Sequence, residues 1–376
     1  MNNEAKKFRV AILGASGYTG ADLVRLLVRH PAVEIAVLTA ERKAGEEIGR
    51  TFPHLATYAL PDLASLDEVE WAGLDVDVVF CALPHAASQA VIKGLFHAVG
   101  DSFLEEMVAE SRADLIAAAP GDVRVIDLSA DFRLRDPKTY EEWYGQPHDA
   151  TALQGIAVYG LSEHYREAIR SARLVACPGC YPTAALLALL PLLHAEAISP
   201  HGIIIDAKSG VSGAGRALKE QNLFCEVAEA IHPYGLTRHR HMPEIEQELE
   251  RAAGRALTIS FTPHLVPMNR GELETIYVTL APGKTAADLR ALLVERYGPE
   301  PFVHVLPEGV APSTRHVRGS NHCVLNVFAD RNKDRAIVVA AIDNLVKGSS
   351  GQAVQNMNLM LGLEETLGLG DAPLFP

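Results

Sequence analysis

Cys180 is the residue whose neighbours best suit it to nucleophilic chemistry. It lies in VACPGCYPTAALLALLPLL at 175–193, where Pro178 and Gly179 mark a turn and an Ala/Leu-rich helix follows. Pro182 suits the first helical position, where a missing N–H costs little. Cys180 is thereby predicted at or just before a helix N-terminus. The macrodipole there stabilises an anion and lowers a thiol pKa. The competing reading is a small apolar residue packed under the helix, because free cysteines are often buried and inert.

Other residues have types that fit proton transfer or anion binding. His239 and His241 flank Arg240 just before MPEIEQELERA, with Pro243 able to open that helix. Their spacing to cysteines and carboxylates is not that of a metal site, and a general acid/base suits them better. A solvated basic turn is the alternative. KSGVSGAGR at 208–216 reads as a Gly/Ser-rich loop whose backbone approaches a ligand, with Lys208 and Arg216 supplying charge. Pro84, His85 and Ser88 follow one apolar run, and Ser129 and Arg133 follow another, at the strand ends where such sheets bind ligands. Asn356 lies in an amphipathic helix within 346–362. From the residues alone, that helix reads as core with surface amides.

The elements that must hold these residues can also be read. Phe8–Leu13 is a β-rich apolar run, GASGYTG follows at 14–20, and Leu23, Val24, Leu27 and Val28 form a helical stripe. Strand, glycine turn and helix open a dinucleotide-binding βαβ unit. Gly14 would make the tight turn, Gly17 would admit a pyrophosphate and Gly20 would allow close helix–sheet packing. The spacing is G-x-x-G-x-x-G. A second strand, Val33–Thr39, is followed by Glu41, Arg42 and Lys43. Arg42 and Lys43 would bind a 2′-phosphate and favour NADP, whereas Glu41 argues the other way. Further strands are predicted at 76–81 and 123–128, and in the second half at 202–206, 257–262, 274–280 and Cys323–Ala329. An acidic helix is predicted over 97–113. The first half reads as α/β of Rossmann type, and the second as α+β with a mixed sheet covered on one face.

Composition limits the remaining function classes. The chain has 376 residues and 48% hydrophobic content, enough for two domains with a large core. Net charge is −13 with no basic block, which disfavours nucleic acid as a partner. No uninterrupted apolar stretch is long enough for a membrane span. The N-terminal residues run directly into a strand without a secretory hydrophobic region, and five unevenly spaced cysteines do not form a disulfide framework. The chain reads as cytoplasmic.

GASGYTG, LPH, DLSADFR, YGLSE, ACPGCYPT, KSGVSGAGR, HRHMPEI, PHLVPMNRG and KGSSGQAVQNMN occur in this order. Together they resemble the N-acetyl-γ-glutamyl-phosphate reductase family, related to aspartate-semialdehyde dehydrogenase, over nearly the whole chain. The resemblance implies NADPH-dependent reduction of an acyl phosphate in arginine biosynthesis, through a thioester on Cys180, with His239 or His241 moving the proton. It implies NADP(H) held by Gly14, Ser16, Gly17, Tyr18, Thr19, Gly20, Arg42, Lys43, Pro84, His85, Ser209, Gly210 and Asn356, with Pro84, His85 and Asn356 near the nicotinamide. Substrate contacts would come from Ser129, Arg133, Lys208 and Arg216. It also implies a homodimer or homotetramer, with a cofactor domain of 1–178 and 347–376 and a catalytic domain of 179–346.

Relatives acting on aspartyl phosphate usually carry their histidine after a late Arg-Gly step. Here Arg270-Gly271 is followed by Glu272, which supports the acetylglutamyl branch. Glu272 is itself a departure, since that family commonly has an aliphatic residue there. The stretch 97–113 is also longer than the family minimum. A homologous acyl phosphate as substrate, and a retired nucleotide-binding redox sensor, are the competing readings.

Overall fold

A computed structural model describes residues 6–71, 75–98 and 122–375. The predicted 97–113 helix lies, from residue 99 onward, outside them. The chain divides into two units, Met1–Pro178 with Ser349–Gly370, and Gly179–Gly348 with Asp371–Pro376.

The first unit is built on seven strands: β1 (Phe8–Leu13), β2 (Val33–Thr39), β3 (Leu63–Ala64), β4 (Val78–Cys81), β5 (Arg124–Asp127), β6 (Val158–Tyr159) and β7 (Leu174–Ala176). Their order is β3-β2-β1-β4-β5-β7-β6, and every neighbouring pair is parallel. Parallel sheets are covered on both faces, so β4 reads as an unbroken buried apolar run rather than an alternation. The chain goes from β1 to β2 and β3 on one side, then crosses to β4 on the other. This reversal opens a crevice at the carboxyl ends of β1 and β4, where doubly wound sheets take ligands. The helix Gly351–Met360 is buried on every side and packs against Ser162–Ser171 and Tyr18–Leu27.

The second unit holds β8 (Ile204–Gly210), β9 (His232–Pro233), β10 (Ser260–Val266), β11 (Glu272–Thr279), β12 (Val303–Val305), β13 (Cys323–Ala329) and β14 (Arg335–Ile342). They form a mixed sheet ordered β12-β13-β14-β11-β8-β10-β9. One face is covered by the helix Cys180–His194, which packs on β11 and β14 and is flanked by the helices His241–Ala253 and Ala286–Tyr297. The other face is only half buried. β11 shows the division: Glu272, Glu274, Ile276 and Val278 are buried, while Leu273, Thr275, Tyr277 and Thr279 are partly exposed.

Two sequence expectations change here. Lys208–Gly210 belongs to β8, paired on both sides, and the loop expected there begins only at Val211. Pro182 is the third helical residue, because the helix starts at Cys180. First-turn N–H groups have no partner within a helix, so proline is tolerated there as well. Pro191, deeper in the same helix, removes the N–H that would bond the Leu187 carbonyl. The Tyr297 hydroxyl donates to that carbonyl at 2.6 Å, so the freed acceptor is satisfied.

Candidate active site

Cys180 is the first residue of its helix, and the Gly179 before it provides no side-chain cap. The Gly179 N–H donates to the buried Glu244 Oε1 at 2.9 Å. The Gly179 carbonyl accepts from the Thr183 N–H at 3.0 Å and from the Thr183 hydroxyl at 2.8 Å. The turn before the cysteine is therefore fixed from both sides. On another side lies Gly348: a Cβ there would be 2.7 Å from the Cys180 Cβ. Cys180 is partly exposed, whereas Cys177 is buried with its thiol toward the Ser349 carbonyl. Cys177 is thus packed into the first unit as a small hydrophobe.

His239 precedes the helix that His241 opens. The His239 ring meets Tyr181, Tyr234 and Phe261 at centroid distances of 5.8, 5.3 and 5.3 Å. Its Nδ1 accepts the His241 backbone N–H at 3.2 Å, which assigns the ring proton to Nε2. Burial, reinforced by the Arg240 charge, lowers its pKa to about 4, so the ring is neutral near pH 7. The His241 ring lies 5.8 Å from Tyr181 and 4.9 Å from His239. The Tyr234 hydroxyl donates to that of Tyr181 at 3.1 Å, and burial raises both phenols above their ordinary range.

Glu272 and Glu274 are fully buried on the sheet face that the Cys180 helix covers. Burial lifts both carboxyls above the usual carboxylate range. Nearby Asp343 adds to the effect on Glu272, and Glu272 adds to that on Glu274. The Cys180 side chain interacts with the Glu272 carboxyl and works against the rise that burial causes.

The glycine turn in the first unit takes the expected form. Gly14 has φ +83°, and a Cβ there would be 2.5 Å from the Ala82 carbonyl oxygen. A Cβ at Gly20 would collide with Gly14 and Ala15, so glycine permits the close packing. Gly17 caps the helix Tyr18–Leu27 without a side-chain bond and has open space beyond 3.5 Å. Ser16 and Thr19 are partly buried and Tyr18 is exposed. Glu41 does not reach toward a ribose; its carboxylate accepts the Leu66 N–H at 3.0 Å. Lys43 is paired with Glu46 at 3.0 Å, whereas Arg42 is exposed and in no ion pair among the described residues. Pro84 and His85 lie on an exposed turn after β4. Asp131 holds this turn by accepting the Ala86 N–H at 2.8 Å and the Ser88 N–H at 3.1 Å.

Several of the expected ligand contacts also have partners inside the protein. Ser88 is fully buried, and its hydroxyl receives the Cys81 thiol. Ser129 is buried and donates to Asp127 at 2.7 Å. Asn356 is fully buried, donating to the Gly160 carbonyl at 3.0 Å and accepting from Ser162 at 2.7 Å. Ser209 is buried and donates to the Gly210 carbonyl, and Gly210 is a glycine because the Asn269 backbone passes 2.7 Å from its Cβ position. Arg133 is nearly buried and donates to the carbonyls of Cys177 at 2.8 Å and Leu128 at 3.0 Å. It braces the strand end that leads into the cysteine turn. Lys208 pairs with Asp206 at 2.7 Å. It stands opposite Leu273 in the register, so it projects from the sheet face away from Glu272 and the Cys180 helix. Arg216 is exposed, just past the 3₁₀ turn Val211–Ala214.

Glu244, Tyr181, Tyr234 and Gly348 were not anticipated as site residues. Glu244 had a visible signal, an acid in the first turn of the helix that His241 opens. The other three are set by tertiary packing.

Residues 9–101 match the semialdehyde dehydrogenase NAD binding domain, and residues 180–344 match the semialdehyde dehydrogenase dimerisation domain. The chain is 55% identical over 370 residues to the N-acetyl-gamma-glutamyl-phosphate reductase of Afipia carboxidovorans, covering 98% of this chain and 99% of that one. The chain belongs to the N-acetyl-gamma-glutamyl-phosphate reductase family. The Rhodospirillum rubrum member is also 55% identical, over 99% of this chain and all of that one. A probable chloroplastic member from Arabidopsis thaliana is 53% identical over 99% of this chain and 86% of that one. The fold is shared with aspartate semialdehyde dehydrogenase II of Vibrio cholerae, at TM-score 0.68 and 18% identity over 95% of this chain and 99% of that one. It is also shared with the Candida albicans aspartate semialdehyde dehydrogenase solved with NADP, at TM-score 0.60 and 17% identity over the same shares. Among the described residues, no helix is long and apolar enough to cross a membrane.

Proposed function

We propose that this enzyme reduces N-acetyl-γ-glutamyl phosphate to N-acetylglutamate 5-semialdehyde and phosphate, with NADPH, in arginine biosynthesis. The observation that carries the reading is Cys180 at the uncapped first position of its helix, facing Glu272, in the same unit as the oriented His239. The thiolate attacks the acyl carbon, the S–C bond forms, the C–O bond to phosphorus breaks and phosphate leaves. The bound dinucleotide supplies the hydride that reduces the resulting thioester. First-turn N–H groups of the Cys180 helix and the His239 Nε2–H are suited to stabilise the oxyanion, which collapses to aldehyde and thiolate. His241 serves as the helix entry that fixes the His239 ring.

The first unit fits a dinucleotide. The helix that starts after Gly17 has no side-chain cap, and its first-turn N–H groups suit a pyrophosphate. Exposed Arg42, with Glu41 diverted to Leu66, suits a 2′-phosphate. Ser16, Tyr18, Thr19, Pro84 and His85 line the same crevice ends. Arg216 is the candidate for the substrate's anionic groups.

We assign a homodimer to the half-buried sheet face, where Ile204, Tyr277 and Ile337 stand in one cross-strand row. None of the five cysteines forms a disulfide, which suits a reducing compartment such as the cytoplasm. The test is a spectrophotometric assay with N-acetylglutamate semialdehyde and NADP⁺. Reduction that requires phosphate, prefers NADP⁺ to NAD⁺ and vanishes in Cys180→Ser is expected. Near wild-type turnover in Cys180→Ser would overturn the mechanism.

A further inference from the structure

Glu272 is a buried acid placed where the sheet meets the nucleophile. It begins β11, opposite Ile342 on β14 and Ser209 on β8, on the face that the Cys180 helix covers. Its side chain has no access to solvent. Among the described residues, neither carboxyl oxygen has a hydrogen-bond donor, and the Cys180 side chain is the neighbour whose interaction favours its ionised form. An acceptor buried without donors costs several kcal/mol if ionised and far less if it holds a proton. A thiol at a helix start is easier to ionise than one in solution. Each neighbour therefore offsets the other's burden, and one proton can reside on either.

We propose that Glu272 is the proton acceptor of Cys180. As sulfur attacks the acyl phosphate, the proton shared by the pair settles on Glu272, the S–C bond forms, the C–O bond to phosphorus breaks, and the departing phosphate takes its own proton from solvent. The acid keeps that proton while the thioester exists. When the C–S bond later breaks, the proton returns to the sulfur and the resting pair is restored. No proton is gained or lost by the pair over the cycle. The neutral His239 is thereby left to hydrogen-bond the substrate oxygen. This assignment rests on Cys180 being the nucleophile.

The charges around the pair determine its titration. Asp343 and Glu274 oppose ionisation of Glu272, and Tyr181 and Tyr234 border Cys180 and Glu272. Asp343 is 3.5 Å from Arg270, which offsets its charge. Lys208 acts on Glu274 from the opposite sheet face, and Glu244 is occupied by the Gly179 N–H. Lys347 is buried next to Gly348, with its ammonium over the Phe302 ring. His239 and His241 stand beyond Tyr181.

Two groups that share a proton ionise in two macroscopic steps. The experiment is the pH dependence of iodoacetamide alkylation, read by mass spectrometry on the Cys180 peptide of the full-length enzyme. Wild-type alkylation is expected to rise in two steps with a plateau between them. Glu272→Gln should give a single step, with kcat/KM for the acyl phosphate down about 100-fold and NADPH affinity unchanged. Glu274→Gln should keep both steps. A single step in the wild type overturns the proposal whether or not Glu272→Gln folds, as does a Glu272→Gln profile matching wild type. Failure of the Cys180 reading itself shows differently, as turnover persisting in Cys180→Ser.

Discussion

A methyl group added at Gly348 would lie 2.7 Å from the Cys180 Cβ and 3.1 Å from its Cα. Real Cβ atoms do not approach backbone that closely, so the cysteine must shift. Displacement of a reacting atom by about 1 Å costs on the order of 100-fold in rate. Gly348→Ala should therefore lose most of its turnover while NADPH affinity, measured by fluorescence titration, stays near wild type. Unchanged turnover would show that the Gly348 contact does not position Cys180. At this scale the sequence was informative for Cys180, because proline, glycine and an Ala/Leu run mark a helix start. It was less so for Ser129, Ser209 and Asn356. Their types suit ligands and braces equally, and the bracing partners Asp127, Gly210, Gly160 and Ser162 come from the fold alone.

The mixed sheet sets which way other residues point. Its strands alternate, so neighbouring residues such as Lys208 and Ser209 face opposite ways. Lys208 looked like an anion ligand because its segment read as a loop. As part of β8 it points away from the cysteine helix and pairs with Asp206. The same alternation puts Glu272 and Glu274 inward and Leu273 and Tyr277 outward. β14, RAIVVAAI, is a nearly continuous apolar run and was not anticipated, because apolar runs of that length do not reveal their period. It contributes Ile337 and Val339 to the half-buried face. Contiguous apolar area of this kind marks a partner surface. Ile337→Asp is expected to sediment as a monomer while the wild type sediments as a dimer or larger. Equal masses for the two would remove the sheet face from subunit contact.

Over the whole chain, strand–glycine–helix order identified the cofactor unit, and β1, β2 and β13 fall at their predicted residues. The chain leaves this unit at Pro178, forms the mixed sheet, and returns with Ser349–Gly370. That return was legible in the Gly/Ser turn before the last helix. The internal bonds of the helix were not, because its amides reach Gly160 and Ser162, which only the fold brings near. The division of labour follows from this layout: the first unit suits the dinucleotide, and Cys180, His239 and Glu272 all belong to the second. The central claim is that Cys180 carries the acyl group between phosphate loss and reduction. The direct measurement is mass spectrometry of enzyme quenched after mixing with N-acetyl-γ-glutamyl phosphate without NADPH. An N-acetylglutamyl adduct on the Cys180 peptide, absent from Cys180→Ser and discharged by NADPH, is predicted. An adduct on another residue, or none at all while the enzyme turns over, would contradict it.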